Sequence, residues 1–467
     1  MSDFNRICAA CIREPYLGSI IASTGIAAEC DYCAKTAPTV ILESLVDRCE
    51  HLIETFYEPT SLEDSVVIYG RTPVGDSVRD VLEELIKADD DVLDDLTESL
   101  TDRWFDRDSH QHRYGDDPHF AEKFRLPSAL SVEWRKMEAS LSSEARIVNP
   151  KVNSILERIF GPLLNYRTAS GNGVIVDAGP GTALSKLYRA RVFQTLEDLE
   201  NALSHPAREA GPPPSDVARA GRMNARGVSV FYGASISEIA VAEVRPPVGS
   251  HVLVGAFNIT RKLKILNLDK LEELVLDPNK SLFDPSTEEV ASRNKFLHTL
   301  SSRMVMPVMP EKEDNGYLIT QAIADFLATH SSLNLDGILF RSVQYQGSGA
   351  RQGRNFVLFN KASRVLSSGG REAPTSHVQL FETDEDGDHW NPEISVIHPE
   401  DRHQMPHWFA DPDERAVTLE IDLNELEVQE VKGVNFTTEK THVTKYIDPK
   451  RDRPTKEGCC SGGQCTP

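Results

Sequence analysis

The chain lacks an excess of basic residues. Its 467 residues contain 50 Lys and Arg against 72 Asp and Glu, which gives a formal net charge of −22 at pH 7. Because phosphate groups are bound through Lys and Arg, this balance argues against direct binding of nucleic acid or of an anionic membrane. Long hydrophobic runs are also missing, since no apolar stretch approaches the roughly 20 residues that span a bilayer. No signal peptide is visible, and we expect a soluble, cytoplasmic protein without a membrane partner.

The common signatures of nucleotide and hydrolase sites are missing too. Gly179-Pro180-Gly181-Thr182 lacks the lysine of a phosphate-binding P-loop, and no stretch matches GxGxxG. No serine lies in a GxSxG elbow, and no HExxH occurs. A nucleotide site in this chain must therefore use another geometry.

Four of the eight cysteines form two CxxC pairs, Cys8 with Cys11 and Cys30 with Cys33. Two such pairs are typical of a structural zinc site, in which four thiolates surround the ion. A closed shell of four sulfur ligands leaves no position for water, so the expected role is structural. The alternative is four free thiols.

Residues 39–164 show helical periodicity. Apolar residues recur at three- and four-residue spacing at Leu42, Leu45, Val46, Cys49, Ile53 and Phe56. Further helices are predicted at Ser77–Lys87, Asp91–Leu100, Leu130–Leu141 and Val152–Phe160. We therefore predict a zinc knuckle at 1–38 and an all-helical domain at 39–164. Cys49 lies on the apolar face, which favours a core role over metal binding.

Arg113 and His119 lie between two of these helices. An Arg and His pair at such spacing is catalytic in HEPN-type ribonucleases, where one helix face presents both side chains. Gly115 and Pro118 interrupt any helix here, so a solvated loop is the favoured interpretation. Ribonuclease activity is the least favoured alternative.

From Tyr166 the composition changes to short strands and glycine-rich turns. β-like runs occur at Val174–Asp177, Leu187–Arg191, His251–Phe257, Leu263–Leu268, Leu339–Val343 and Asn355–Phe359, and a helix is predicted at Tyr317–Thr329. The natural class for this part is mixed α+β.

One stretch of the central part combines several signals. A polar turn, a short strand and a helix ended by two prolines are predicted at Gly221–Asn224, Val228–Tyr232 and Ile236–Val244. Ser235 stands three residues before Glu238, which is the spacing of a capping box. Turn, strand and helix would bring Arg222, Tyr232 and Glu243 near one another.

The ordered motifs Tyr188-Arg189, GRMN, VFYGAS, AEV, DGILFRS and NFVLF resemble the RES domain family, over about Asn165 to Lys361. Members of that family include toxins of bacterial toxin–antitoxin pairs that destroy NAD, and its fold is similar to that of the ADP-ribosyltransferases. The amino-terminal cysteine pairs and helices resemble the zinc-bearing, HEPN-like domain found ahead of some RES domains. The resemblance implies an α+β chain in which residues 165–366 form an NAD-binding RES domain.

The resemblance also implies site residues. The family's arginine, glutamate and serine correspond to Arg189, Glu243 and Ser342, its strand tyrosine to Tyr232, and the arginine of its GRWN-like turn to Arg222. The tryptophan of that turn, which would form one wall of the pocket, is replaced by methionine at position 223. Taken singly, each residue is better interpreted as an ordinary core or surface residue, and only the ordered set of motifs favours an NAD-type pocket.

The implied chemistry is cleavage of the nicotinamide–ribose bond of NAD. The reaction passes through an oxocarbenium-like ribose, which a carboxylate such as that of Glu243 would stabilise. Arg189 and Arg222 suit pyrophosphate oxygens. Tyr232 would stack on the nicotinamide ring or hydrogen-bond to ribose, and Ser342 would position a ribose hydroxyl or an amide.

The rest of the chain is acidic at 367–413, which we expect to be a linker. The acids of 382–388 lack the glycine and the final glutamate of a calcium loop. Strands that would complete the central sheet are predicted within 414–449, at Ala416–Ile421, Leu426–Phe436 and Thr441–Ile447. Residues 450–467, with Cys459, Cys460 and Cys465, are predicted to be a disordered tail.

The resemblance to the RES domain family implies an NAD glycohydrolase or NAD phosphorylase with a toxin or defence role. Zinc would be its structural cofactor, NAD its substrate, and a separate antitoxin or immunity protein its implied partner. The acceptor (water, phosphate or a protein side chain) and a homo-oligomeric state are left open. The alternative is a zinc-dependent nucleotide-binding or interaction protein with an inactive RES-like fold.

Overall fold

The computed structural model describes residues 5–123, 129–146, 148–276, 280–306, 316–344, 353–366, 376–396, 413–435 and 438–445. Within them lie twelve α-helices and eighteen β-strands, so the class is mixed α+β, as predicted. An eight-stranded sheet dominates the carboxyl-terminal part, and smaller sheets lie before and after it. None of the helices in these ranges combines the length and the hydropathy of a membrane-spanning segment.

The first strands frame the cysteine pairs. β1 (Arg6–Cys8), β2 (Ile26–Glu29) and β3 (Thr36–Ile41) form an antiparallel sheet in the order β1-β3-β2. α1 (Pro15–Thr24) begins at a proline, which is favoured there because a first helical residue needs no N–H partner. Glu14 caps this helix by accepting a hydrogen bond of 2.6 Å from Leu17 N–H.

Four helices follow at α2 (Glu43–Phe56), α3 (Asp64–Val67), α4 (Val78–Ile86) and α5 (Asp90–Arg103). They are accompanied by short strands at β4 (Tyr57–Pro59), β5 (Asp76–Ser77), β6 (Phe105–Asp106), β7 (Gln111–His112) and β8 (His119–Glu122). The prediction of an all-helical domain is therefore wrong in one point, because this part also contains five short strands. Strands this short carry too few residues to produce a period-two signal.

The next two helices, α6 (Ala129–Ser143) and α7 (Pro150–Phe160), pack with the large sheet rather than with α2–α5. Trp134 of α6 and Phe160 of α7 belong to the same buried cluster as Val357 of the sheet. Asn149 caps α7 by accepting a hydrogen bond of 3.2 Å from Val152 N–H.

The large sheet has the spatial order β18-β12-β10-β11-β15-β14-β13-β9. Its strands are β9 (Ile175–Ala178), β10 (Lys186–Phe193), β11 (Phe231–Ala234), β12 (His251–Ile259), β13 (Leu263–Asn267), β14 (Gly337–Arg341), β15 (Arg354–Leu358) and β18 (Leu419–Glu430). β13 and β14 pair in parallel, and the other neighbours pair in antiparallel fashion. The β-like runs predicted for the central part all overlap strands of this sheet.

Alternation along the strands gives the sheet two faces. The α8 face carries Leu187, Phe231 and Leu358 and packs against α8 (Leu196–Ser204), close to α9 (Pro206–Glu209). The α10 face carries Ala234 and Val357, and packs against α6, α7, α10 (Ser237–Val244), α11 (Pro285–Val305) and α12 (Leu318–Thr329).

The carboxyl-terminal part differs from the prediction. β16 (Ser376–Asp384) and β17 (Gly387–Val396) form an antiparallel hairpin where an irregular linker was expected. The turn residues are Glu385 and Asp386, and Gly387, the first residue of β17, adopts a φ of +122° that favours glycine. Two of the expected strands are the single strand β18, which pairs with β12, and residues 441–445 form no regular element. The tail from 446 on lies outside the described residues.

Candidate active site

Glu243 of α10 is held by two side chains from the ends of β14 and β15. Ser342 Oγ donates a hydrogen bond of 2.9 Å to Glu243 Oε1, and Asn355 Nδ2 donates one of 2.7 Å to the same oxygen. Ser342 and Asn355 are buried, whereas Glu243 is open to solvent. Glu243 Oε2 accepts no hydrogen bond within the described part of the chain, so it is free to bind a ligand.

Asp269 ties together the two strand ends that carry these donors. Its Oδ1 accepts a hydrogen bond of 3.1 Å from Arg341 N–H, and its Oδ2 accepts one of 3.3 Å from Arg354 Nε. Burial raises the pKa of Asp269, although both arginines oppose that shift. Since Ser342 follows Arg341 and Asn355 follows Arg354, these bonds set the distance between the two donors.

Ser235 does not cap α10, which corrects the predicted capping box. The residue before the helix is Ile236, and no side chain caps it. Ser235 Oγ instead accepts a hydrogen bond of 3.0 Å from Arg354 N–H, and Ser235 N–H donates one of 2.9 Å to Arg354 O. The start of α10 is thereby fixed to β15, one residue away from Asn355.

Sequence reasoning missed Asn355 as a site residue. β14 and β15 pair with Phe340 opposite Asn355, so Asn355 shares a face with Ser342, two residues after Phe340. The sequence placed Asn355 at the start of a strand but contains no signal for the register of that strand. The partner of Glu243 therefore depends on a pairing that a single sequence does not specify.

The hydroxyl of Tyr232 is engaged inside the protein. It donates a hydrogen bond of 2.8 Å to Asn224 Oδ1 and accepts one of 3.0 Å from Met223 N–H. Burial raises the pKa of Tyr232 to about 12, so the hydroxyl stays protonated at neutral pH. Gly221 permits this turn, because a Cβ there would lie 2.7 Å from the hydroxyl. Tyr232 can thus offer its ring to a ligand, but it has no proton left to donate.

The predicted turn presents Arg222 and buries Met223. The Met223 side chain is 1% exposed and packs in the core beneath the α10 face, so it does not form a pocket wall. Arg222 Nη1 donates a hydrogen bond of 3.0 Å to Met304 O, and its guanidinium carbon lies 5.9 Å from the centre of the Tyr317 ring. The other guanidinium N–H groups of Arg222 donate to no residue in the described ranges.

Arg189 does not join these residues. Tyr188 pairs with Ala234, and Arg189 pairs with Gly255, so the register places Arg189 on the α8 face, opposite to Glu243. Its guanidinium carbon lies 5.2 Å from the centre of the Phe231 ring, which is on that same face. Its Nη1 has no hydrogen-bond partner, and burial lowers its pKa. The role implied for Arg189 at a shared pocket gains no support from this geometry and stays a prediction.

The thiols of Cys8, Cys11, Cys30 and Cys33 form a compact cluster within 4.8 Å of one another. Sγ–Sγ distances are 3.9 Å for Cys8–Cys11, 3.6 Å for Cys8–Cys33 and 3.7 Å for Cys11–Cys30. Four sulfur atoms placed tetrahedrally at about 2.3 Å from one ion would be about 3.8 Å apart. The cluster could therefore hold a metal ion.

Arg113 and His119 are not presented by one helix. Arg113 Nη1 forms an ion pair of 2.6 Å with Glu54, and His119 lies in β8 with Nδ1 at 3.1 Å from Asp117 O. The ribonuclease alternative gains no support from this arrangement.

The comparisons with known proteins address the central part of the chain. The sequence model of the RES domain matches residues 186–380, a range that includes the five predicted site residues Arg189, Arg222, Tyr232, Glu243 and Ser342. No curated protein and no solved structure matches the chain. The match does not extend to the amino-terminal cysteines and helices, so the resemblance of that part stays a prediction. The similarity of this chain to the RES domain family therefore covers residues 186–380.

Proposed function

We propose that the chain is an NAD-consuming enzyme and that Glu243 promotes cleavage of the nicotinamide–ribose bond. The observation that carries the proposal is the carboxylate of Glu243, held through Oε1 by Ser342 and Asn355 with Oε2 left free. The RES domain match supports the choice of NAD as the substrate class.

In the proposed reaction the bond between the ribose carbon and the nicotinamide nitrogen breaks, and its electron pair leaves on nicotinamide. The ribose carbon becomes cationic, and a new carbon–oxygen bond forms to water or phosphate, which loses a proton. A fixed carboxylate stabilises the positive charge as it develops without reorganising during the reaction. Glu243 would do this through Oε2, while Ser342 and Asn355 act as positioning residues.

Two further side chains on the same side of the sheet fit a dinucleotide. The Tyr232 ring packs partly against the buried cluster and is partly exposed, and its exposed part can stack on an aromatic base. The free N–H groups of Arg222 suit the pyrophosphate, for which a planar guanidinium provides two parallel donors. Arg189 has no part in this proposal.

Nicotinamide release from NAD tests the proposal. The purified wild type should release nicotinamide in buffer with or without phosphate, and Glu243→Gln should slow release by about a hundredfold or more. Glu238→Gln is the matched control, since Glu238 lies in the first turn of the same helix and is exposed. Absence of turnover in the wild type under both conditions, or equal rates in Glu243→Gln, would contradict the proposal.

For the cysteine cluster we propose zinc in a structural role. The sulfur distances support it, since they fit four thiolates around an ion of that size, and such a shell leaves no position open for substrate. Metal content measured on protein purified without added metal tests the identity of the ion.

A toxin role, with a separate antitoxin as partner, follows from the same proposal. Expression of the wild type should then arrest growth and lower the cellular NAD pool, whereas Glu243→Gln should do neither. Arrest that persists in Glu243→Gln would separate toxicity from NAD consumption.

A further inference from the structure

A polar cavity lies at the edge of the large sheet opposite to the candidate active site. It has a volume of about 420 Å³ and is lined by residues at the amino ends of β13 and β14. Asp336 precedes β14 and Ser342 follows it, so at about 3.3 Å per residue the cavity lies roughly 20 Å from Ser342. A volume of this size is in the range of small-molecule sites.

The lining of the cavity carries four cations in a protein whose net charge is −22. They are Arg261, Lys262, Lys264 and Lys361, and Leu263 is the one apolar residue of the lining. These four cations outnumber the two carboxylates of the lining, Asp177 and Asp336, and the net positive charge favours an anionic and polar ligand.

The acidic groups of the cavity neutralise only part of this charge, since Asp336 pairs with Arg261 alone among the four cations. Asp336 is already bound through both oxygens, to Arg261 Nη2 at 3.0 Å and to Lys264 N–H at 2.9 Å. Asp177 lies opposite Lys264 across the β9–β13 ladder, but the two side chains form no ion pair within 4.0 Å. The side chains of Lys262 and Lys264 donate no hydrogen bond within the described ranges.

Lys361 has only a weak, neutral hydrogen-bond partner among the residues that the structure describes. Its Nζ lies 3.4 Å from Asn334 Oδ1, a neutral acceptor. Burial lowers the pKa of Lys361, and neighbouring Asp336 only partly compensates that shift. A half-buried ammonium with a long bond to an amide is stabilised when an anion enters beside it.

We propose that this cavity binds the diphosphate group of a small ligand, free pyrophosphate or a nucleoside diphosphate. The oxyanion would be held by Lys361 and Lys264, with Lys262 at the rim and Arg261 kept in place by Asp336. The proposal is independent of the NAD chemistry assigned to the other edge of the sheet.

Calorimetric titration of the full chain with pyrophosphate, and separately with ADP, tests the proposal. The double variant Lys264→Met/Lys361→Met should bind at least about tenfold more weakly, since a charged hydrogen bond contributes about 1.5–3 kcal/mol. Lys432→Met is the matched control, because Lys432 is exposed and belongs to another part of the surface. Equal melting temperatures of the variants would show that folding is unaffected.

Arg222→Met separates this cavity from the candidate active site. Retained pyrophosphate binding in Arg222→Met, together with loss in the lysine pair, supports the proposal, and tighter binding of ADP than of pyrophosphate identifies a nucleotide. Three results would overturn it: no binding of either probe, unchanged binding in the lysine pair, or binding abolished by Arg222→Met alone.

Discussion

Ser342 Oγ and Glu243 Oε1 are joined by a hydrogen bond of 2.9 Å, although the two residues are 99 positions apart in the sequence. The bond connects the end of β14 to α10, a helix fixed to the neighbouring strand β15 through Ser235 and Arg354. Asn355 donates to the same carboxylate oxygen. Two donors on one oxygen fix the plane of the carboxylate and leave the other oxygen for a ligand.

Loss of either donor should reduce the rate of nicotinamide release rather than the affinity for NAD. We expect Ser342→Ala and Asn355→Ala each to lower kcat by about tenfold or more, since a hydrogen bond to a charged group is worth about 1.5–3 kcal/mol. KM should change little if both residues act through Glu243. Steady-state kinetics with NAD provide the measurement.

The two substitutions should also be non-additive, because both act on one oxygen of Glu243. The double variant is expected to lose less than the product of the two single effects. Ser237→Ala, which removes a hydroxyl from the same helix, is the control. A KM increase at constant kcat would instead indicate that Ser342 or Asn355 contacts the substrate directly.

Tyr232→Phe should destabilise the protein with little effect on the reaction. Removal of the hydroxyl leaves Met223 N–H and Asn224 Oδ1 without their partner, which should lower the free energy of unfolding by about 1–3 kcal/mol. The ring remains, so kcat per folded molecule should stay within about threefold of wild type if only the ring contacts the ligand. Urea unfolding and nicotinamide release measure the two quantities, and a large fall in kcat without loss of stability would contradict this assignment.

The local elements of this site could be predicted from the sequence. Val228–Tyr232 and Ile236–Val244 carry strand and helix patterns, and the structure has β11 and α10 there with boundaries shifted by a few residues. The prolines Pro246 and Pro247 end α10, as expected.

The contacts between elements could not be predicted. Ser235 has the right spacing to cap α10 but bonds to Arg354 of a strand more than a hundred residues later. Alternation along β10 predicts that Arg189 and Tyr188 lie on opposite faces. The residues of β10 and α10 carry no signal for the face on which α10, the helix of Glu243, packs. Register and helix placement depend on packing of the whole sheet.

Asp413 should make stability depend on pH in the acid range. Its carboxylate accepts hydrogen bonds from Arg415 Nη2 at 2.6 Å and Nε at 2.8 Å, and these bonds lower the pKa of Asp413. The folded pKa lies below the unfolded value of about 3.9, so the stabilisation is present above that pH and is lost as pH falls through the folded value.

Asp413→Asn should therefore lower the free energy of unfolding at pH 7 by about 1 kcal/mol, the size expected for a partly exposed pair. The difference from wild type should shrink as pH falls below about 3.9. Urea unfolding at pH 7 and at pH 3–4 measures it, with Asp216→Asn, an exposed substitution, as control. A difference that does not change with pH would show that Asp413 acts without its charge.

If the cysteine cluster holds zinc, as proposed, removal of the ion should unfold the amino-terminal core. Cys8, Cys11 and Cys30 are buried in the same cluster as Trp104, so chelation should change the tryptophan fluorescence. Cys30→Ser should lower the metal content well below one ion per chain. Cys49→Ala should keep it, because Cys49 lies in the core outside the four-sulfur group. Equal metal content in Cys30→Ser and wild type would contradict the assignment.

Arg189→Met distinguishes the role implied by resemblance from the position of Arg189 in the sheet. A buried guanidinium without an anionic partner costs several kcal/mol, and the contact with Phe231 returns about 2 kcal/mol, so the substitution should raise the free energy of unfolding. Nicotinamide release should stay within about threefold of wild type, because Arg189 lies on the face opposite to Glu243.

Arg191→Met is the matched control on the same face. It should destabilise, since Arg191 donates hydrogen bonds to Glu209 O and Gly211 O. A large loss of activity in Arg189→Met with unchanged stability would instead support the role at the NAD site that the family resemblance implies for Arg189.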